Sequence, residues 1–168
     1  ANDLIVLAAA AYRKIEHREN VRLAMAETTL RLQRRVADDA RLAWARKIVA
    51  GMVGRPPANQ VEVYAREQLL IAAEPERELK LQALRIGELG IAAIPNEVYA
   101  ITGLKLKAQS PLRPTFNIEL ANGSDGYIPP PELYPLGGYN TWPCRTAGLE
   151  VQAEPKIVDG LLGLLEEV

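Results

Sequence analysis

Glu97 follows an apolar run and a proline in "LGIAAIPNEVY", and further on the segment Ala121 to Cys144, "ANGSDGYIPPPELYPLGGYNTWPC", offers Asn122, Asp125, Tyr127, Tyr134 and Tyr139. A carboxylate in the first turn of a helix after a buried strand has two uses. It complements the helix dipole, or, fixed on rigid backbone at a cleft, it binds a metal or acts as a base. The later segment has neither helical nor strand period, and loops of that length are functional or disordered. Its Ile128, Leu133, Leu136 and Trp142 argue against disorder. Gly123, Gly126, Gly137 and Gly138 allow positive φ, while Pro129, Pro130 and Pro131 stiffen the span after Tyr127. Such a loop suits the aiming of a few side chains. The other reading is that the tyrosines and Trp142 pack the loop against the domain and the prolines form a solvated polyproline turn. A carboxylate pair, Glu97 with Asp125, is a further option.

The elements that must position these residues read as mixed α/β, one sheet with helices packed against it, in a single unit over residues 1–168. Leu4, Leu7, Ala11 and Ile15 keep a helical spacing and predict a buried amphipathic helix. "VRLAMA" alternates with Val21, Leu23 and Met25 on one face, and "TLRLQ" continues with the face shifted, which predicts a bulge near Glu27 to Thr29. Asp38 and Asp39 open a helix with Leu42, Ala45, Val49 and Met52 on one side, and another runs from Asn59 to Ala73. "ELKLQALRIGELGIAAIP" reads as a hairpin turning at Gly87-Glu88, its second arm apolar enough to be covered on both faces. "NEVYAITGLKLKA" has a helical pattern with Val98, Ile101 and Leu104 inward. Thr115 to Leu120 is a strand, "AGLEVQ" a short last one, and "EPKIVDGLLGLLEEV" a closing helix with Ile157, Leu161, Leu164 and Leu165 packed. Ligands gather where strands end and helices begin, which points to the Pro95-Asn96-Glu97 corner and to the loop after Leu120.

Composition narrows the partners. Twenty basic and 21 acidic side chains leave a net charge of −1, and no helix carries a basic stripe, so neither nucleic acid nor an anionic membrane surface is indicated. Arg31, Arg34 and Arg35 read as a solvated strand edge. The apolar run Leu4 to Tyr12 is too short for a transmembrane helix and lacks the flanks of a signal peptide. A lone Cys144 excludes an internal disulfide. A chain that starts without methionine and almost at once in helix reads as a fragment, a processed product or a cut piece of a longer chain.

Three stretches, "LGIAAIPNEVYAITGLKLK", "ANGSDGYIPPPELYPLGGYNTW" and "AEPKIVDGLLGLLEEV", resemble in order the C-terminal half of the catalytic domain in the neutral/alkaline ceramidase-like family. The resemblance is close over half the chain and loose over the rest. It implies a zinc amidase that cleaves the amide of N-acylsphingosines to a fatty acid and an amine. It further implies a zinc ion held by two histidines from the N-terminal part of the domain and by a glutamate and a tyrosine from the C-terminal part. Carried over, these last two fall on Glu97 and Tyr127, and a tyrosine that polarises the scissile carbonyl falls on Tyr139. Asn96 stands where the family has glycine, and "SDGY" where its better known members carry an aromatic and a histidine before the tyrosine. The single histidine, His17, lies among charges in "KIEHREN" and reads as a surface residue. The resemblance therefore expects the zinc-binding histidines on an N-terminal half of the same protein, upstream of Ala1. It leaves this chain inactive alone, with a lipid-like N-acyl amine as the substrate of the whole. The alternative from another class is a non-catalytic α/β module whose Pro/Tyr-rich loop engages a protein partner, with "PPPELYP" as the ligand.

Overall fold

The computed structural model describes residues 2–168 and gives the mixed α/β fold the sequence predicts. Its order is α1 (Asn2–Tyr12), β1 (Leu23–Gln33), α2 (Asp39–Ala50), α3 (Gln60–Ala73), β2 (Glu76–Ile86), β3 (Leu89–Ala93), β4 (Glu97–Val98), α4 (Ala100–Gln109), β5 (Thr115–Ile118), β6 (Tyr127–Ile128), a 3-10 helix (Pro131–Leu136) and α5 (Ala153–Glu167). Four strands form one sheet in the order β1-β2-β3-β5, and β4 pairs with β6 in a second, two-stranded sheet. β1, β2 and β3 are antiparallel neighbours, whereas β5 lies parallel to β3.

The β2–β3 hairpin turns at Gly87, which has φ +62°, and puts Leu79, Leu81 and Ala83 inward as their alternation requires. α5 lies across this inner face. Its Ile157, Leu161, Leu164 and Leu165 meet Leu32, Leu79, Leu81 and Ala92 in the main core. Gly160 lets the helix approach closely, since a Cβ there would stand 3.2 Å from Leu81 Cδ1. α4 joins α5 through Glu154, which is 1% exposed and accepts from Thr102 Oγ1 at 2.9 Å and Lys105 Nζ at 3.0 Å. Asp38 and Asn59 cap α2 and α3 by accepting from Arg41 N and Glu62 N.

Several expectations fail for physical reasons. α1 buries none of its residues, and Leu4 is 72% exposed. β1 has no bulge. Its register with β2 runs unbroken from Leu23↔Ile86 to Gln33↔Glu76, so Ala24, Ala26, Leu30 and Leu32 face α5 while Leu23 and Met25 face outward. In the first half of β1 the small residues Ala24 and Ala26 mark the helix-covered side, and in the second half the large Leu30 and Leu32 do. α4 is likewise rotated from its predicted phase: Ile101 and Leu104 are exposed, and Thr102, Gly103 and Leu106 are buried. Gly103 abuts the Asn117 side chain, whose amide would have to move to admit a Cβ. Gly90 and Ala92 of β3 are buried, but Leu89 and Ile91 on its other face are only half covered. "AGLEVQ" contributes a single bridge, Arg34↔Leu149, rather than a strand.

Candidate functional site

The chain leaves β3 at Ala93 and turns through Ile94, Pro95 and Asn96, all buried. Glu97 then falls on β4 rather than in the first turn of a helix, α4 starting only at Ala100. This changes the role of the carboxylate: it does not complement a helix dipole. β4 pairs in parallel with β6, Glu97 directly against Tyr127 and Val98 against Ile128. Paired residues of neighbouring strands share a face, so the carboxylate and the phenol stand side by side.

The turn before Tyr127 is tied down on every side. Asn96, with no exposed surface, donates from Nδ2 to Asp125 O at 3.0 Å and Gly126 O at 3.2 Å. Glu97 N donates to Gly126 O at 3.0 Å, Asp125 N to Pro95 O at 2.8 Å, and Tyr127 N to Thr146 O at 2.8 Å. Gly126 sits at φ +75° against the Thr146 backbone, where a Cβ would collide. Asn96 Oδ1 is buried without a hydrogen-bond partner among the described residues.

Tyr139 arrives from the far side of the loop. Its hydroxyl donates to Tyr127 Oη at 3.4 Å, and the two rings meet edge to face, 5.3 Å apart at 87°. The Tyr139 hydroxyl and the Glu97 carboxylate beside it hold the Tyr127 phenol well above its usual pKa, with burial adding to the effect. Tyr139 itself is 61% exposed, so its hydroxyl has open space before it. Glu97, Tyr127 and Tyr139, far apart in sequence, are thus adjacent.

The other loop residues are held elsewhere. Asp125 accepts from Arg77 Nε at 2.5 Å, which commits that carboxylate to an arginine. Asn122 donates to Gln82. Tyr134 lies under the Arg35 guanidinium, 4.8 Å from ring centroid to Cζ. Pro129 and Pro130 are buried and Pro131–Leu136 is a 3-10 helix, so the proline run is a packed wall of the loop and not a solvated polyproline ligand. His17 is exposed, outside every named element.

Arg34 and Arg35 are the residues that sequence reasoning misplaced: the Arg34 side chain is only 7% exposed and pairs with Glu74 at 3.3 Å. Arg31 is solvated and paired with Glu78, as a strand edge should be. Arg35, half-buried, donates instead to the carbonyls of Thr141 at 2.7 Å, Ala147 at 2.5 Å and Leu149 at 2.9 Å, pinning the end of the long loop. Among the described residues no group of three or more His, Cys, Asp or Glu side chains converges as a metal site. Glu97 and Tyr127 nevertheless fit one side of a zinc shell, as a charged and a phenolic oxygen aligned by strand pairing. No helix is long and apolar enough to cross a membrane among the described residues.

The fold these elements define is ceramidase-like. No protein-family model matches the chain, and no curated protein matches it by sequence. Among solved structures, the neutral ceramidase from Pseudomonas aeruginosa is similar over 88% of this chain and 29% of its own, with 17% identity and a TM-score of 0.54. A ceramidase complexed with C2 matches over 52% of this chain and 14% of its own, at 19% identity and a TM-score of 0.46. The chain spans less than a third of the length of either.

Proposed function

We propose that this chain is the C-terminal part of a zinc-dependent amide hydrolase resembling neutral ceramidase, with Glu97 and Tyr127 as metal ligands and Tyr139 as the group that polarises the substrate carbonyl. One observation carries the reading. The three residues singled out by the resemblance meet, Glu97 paired with Tyr127 and Tyr139 bonded to Tyr127, in a fold similar to a ceramidase's. A zinc ion there supplies a Lewis acid for a carbonyl oxygen and lowers the pKa of water to roughly 7. The chain's own residues do the positioning. Asn96 and Gly126 fix the turn that places Tyr127, strand pairing sets Glu97 against it, and Tyr139 is exposed enough to donate a hydrogen bond to charge developing on an amide oxygen. The remaining ligands are histidines on an N-terminal half of the same protein, and the substrate is a lipid-like N-acyl amine such as an N-acylsphingosine.

The test uses the longest natural form of the protein. Glu97→Gln and Tyr127→Phe each abolish bound zinc and N-acylsphingosine hydrolysis, whereas Tyr139→Phe retains zinc and lowers kcat by roughly 100-fold, the loss typical of a single oxyanion donor. The 168-residue chain alone is inactive. Chelator-insensitive hydrolysis by the isolated chain, or full zinc content in both ligand variants, overturns the assignment.

A further inference from the structure

We propose that Tyr99 and Asn140 are positioning residues for the Tyr139 hydroxyl: the hydrogen bond between them latches a short flap that carries Tyr139 against Tyr127. This role rests on the hydrolase reading of Tyr139, whereas the latch itself rests on geometry alone.

The flap is residues 137–140, and it spans two fixed posts. Before it, the 3-10 helix Pro131–Leu136 is anchored where the Tyr134 ring lies under the Arg35 guanidinium and where Glu132 stands 3.8 Å from Lys105 Nζ. After it, Thr141 is buried and its carbonyl accepts from Arg35 at 2.7 Å. One guanidinium thus secures both posts. Between them the chain is loosely held. Leu136 and Tyr139 are exposed, and Gly137 and Gly138 take φ +70° and +99°, conformations open to glycine and costly for other residues. A Cβ on Gly137 would meet nothing within 4 Å, so the space beside this hinge is open.

Two hydrogen bonds hold the flap down, besides the edge-to-face contact of the Tyr139 and Tyr127 rings. The Tyr139 hydroxyl donates to Tyr127 Oη at 3.4 Å, and Asn140 Nδ2 donates to the Tyr99 hydroxyl. The first cannot persist through the reaction, because a phenol that donates to the amide oxygen has no second proton to give Tyr127. It is also long beside the usual O–H···O span of about 2.7–2.8 Å. Edge-to-face rings tolerate centroid separations of roughly 4.5–7 Å, a looser constraint than the window of about 2.7–3.1 Å in which an oxyanion donor works. The Asn140–Tyr99 bond involves neither reacting group and is free to remain.

Tyr99 is a rigid reference for that bond. It directly follows β4, and its carbonyl accepts from Thr102 N at 2.9 Å in the first turn of α4. Val98 N before it donates to Glu119 Oε2 at 3.0 Å. Asn140 is next to Tyr139 in the chain, and Tyr99 is two residues from Glu97. The latch therefore ties the hydroxyl to the strand that carries the carboxylate.

The longest natural form of the protein tests the role, and the 168-residue chain tests the latch. In the long form, Tyr99→Phe and Asn140→Leu each retain zinc and KM and lower kcat roughly tenfold, the cost of a donor misplaced but not removed. In a Tyr139→Phe background the same substitutions lower kcat by less than about twofold, since the hydroxyl they position is gone. In the 168-residue chain, the amides of Thr141 and Trp142, both bonded to Gly138 O, exchange with deuterium roughly threefold to tenfold faster in either variant, the effect of losing one hydrogen bond. The amides of β2 exchange as in the wild type, which separates local release from global destabilisation. Wild-type kcat in both single variants, or losses that multiply in the Tyr139→Phe background, overturn the positioning role. Unchanged exchange at Thr141 and Trp142 overturns the latch. Full kcat in Tyr139→Phe alone overturns the hydrolase reading of Tyr139 and the positioning role with it, while the exchange result stands or falls by itself.

Discussion

At the scale of single residues, the site depends on a glycine as much as on its oxygen donors. Gly126 holds φ +75° directly before Tyr127, and a Cβ on it would enter the Thr146 backbone. Gly54 has nearly the same φ, +72°, but nothing lies within 4 Å of its would-be Cβ. The two positions separate backbone strain from collision. Gly54→Ala is expected to cost about 1 kcal/mol from the left-handed conformation alone. Gly126→Ala should cost about 2 kcal/mol more, since neither backbone segment can move without breaking the Tyr127 N to Thr146 O bond. Urea denaturation of the two variants compares them; equal losses would mean that the Thr146 segment yields freely. Glu97, Tyr127 and Tyr139 were legible in the sequence through the resemblance that singles them out. Arg35 was not, because its three carbonyl partners lie 106, 112 and 114 residues away, and nothing local to an arginine announces such partners.

At the scale of elements, the two terminal helices differ both in pattern and in what they do. α5, with its apolar residues gathered on one face, buries seven of its residues from Ala153 to Leu165, while α1, the more apolar of the two, buries none. Leu161→Ala is expected to lower the unfolding free energy by about 2–5 kcal/mol through loss of buried surface and the cavity left behind. Leu7→Ala should change it by less than about 0.5 kcal/mol. Chemical denaturation measures both, and a large loss at Leu7 would show α1 packed against the domain in solution. Local signals predicted the hairpin at Gly87, the helix starts at Asp38 and Asn59, and the buried face of α5, since each depends on residues a few positions apart. The phases of β1 and α4 did not follow from pattern, because both carry apolar residues on more than one face. What decided between faces was close approach: α5 lies over Ala24, Ala26, Ala83 and Ala92, and Gly103 admits Asn117. Bulk was the misleading cue in Leu23, Met25, Ile101 and Leu104, although it held for Leu79 and Leu81.

At the scale of the molecule, the α5 helix covers one face of the sheet, and among the described residues the other face is much more exposed. α5 occupies the face of Leu32, Leu79 and Leu81. On the opposite face the register aligns Met25 with Leu84, Leu84 with Ile91, and Ile91 with Phe116, a row that crosses all four strands. Met25 is 57% and Phe116 40% exposed, and Leu23, Ile86 and Ile118 beside them are exposed as well. A patch of this kind attracts other apolar surface, by a few tens of cal/mol for each Å² removed from water. The isolated chain should therefore bind a hydrophobic dye and sediment faster as its concentration rises. Met25→Lys combined with Phe116→Lys places two ammonium groups in the row and should suppress both effects. Because neither side chain is part of the core beneath α5, each substitution should alter the unfolding free energy by no more than about 0.5 kcal/mol. A double variant that unfolds, or whose stability falls by several kcal/mol, would mean that this face is already covered by the chain itself. α1 is the segment able to do so, being apolar along its length and joined to β1 at the edge of that face. Deleting residues 2–12 from the wild-type chain settles that case: an unchanged dye signal leaves the face open, and an increased one makes α1 its cover.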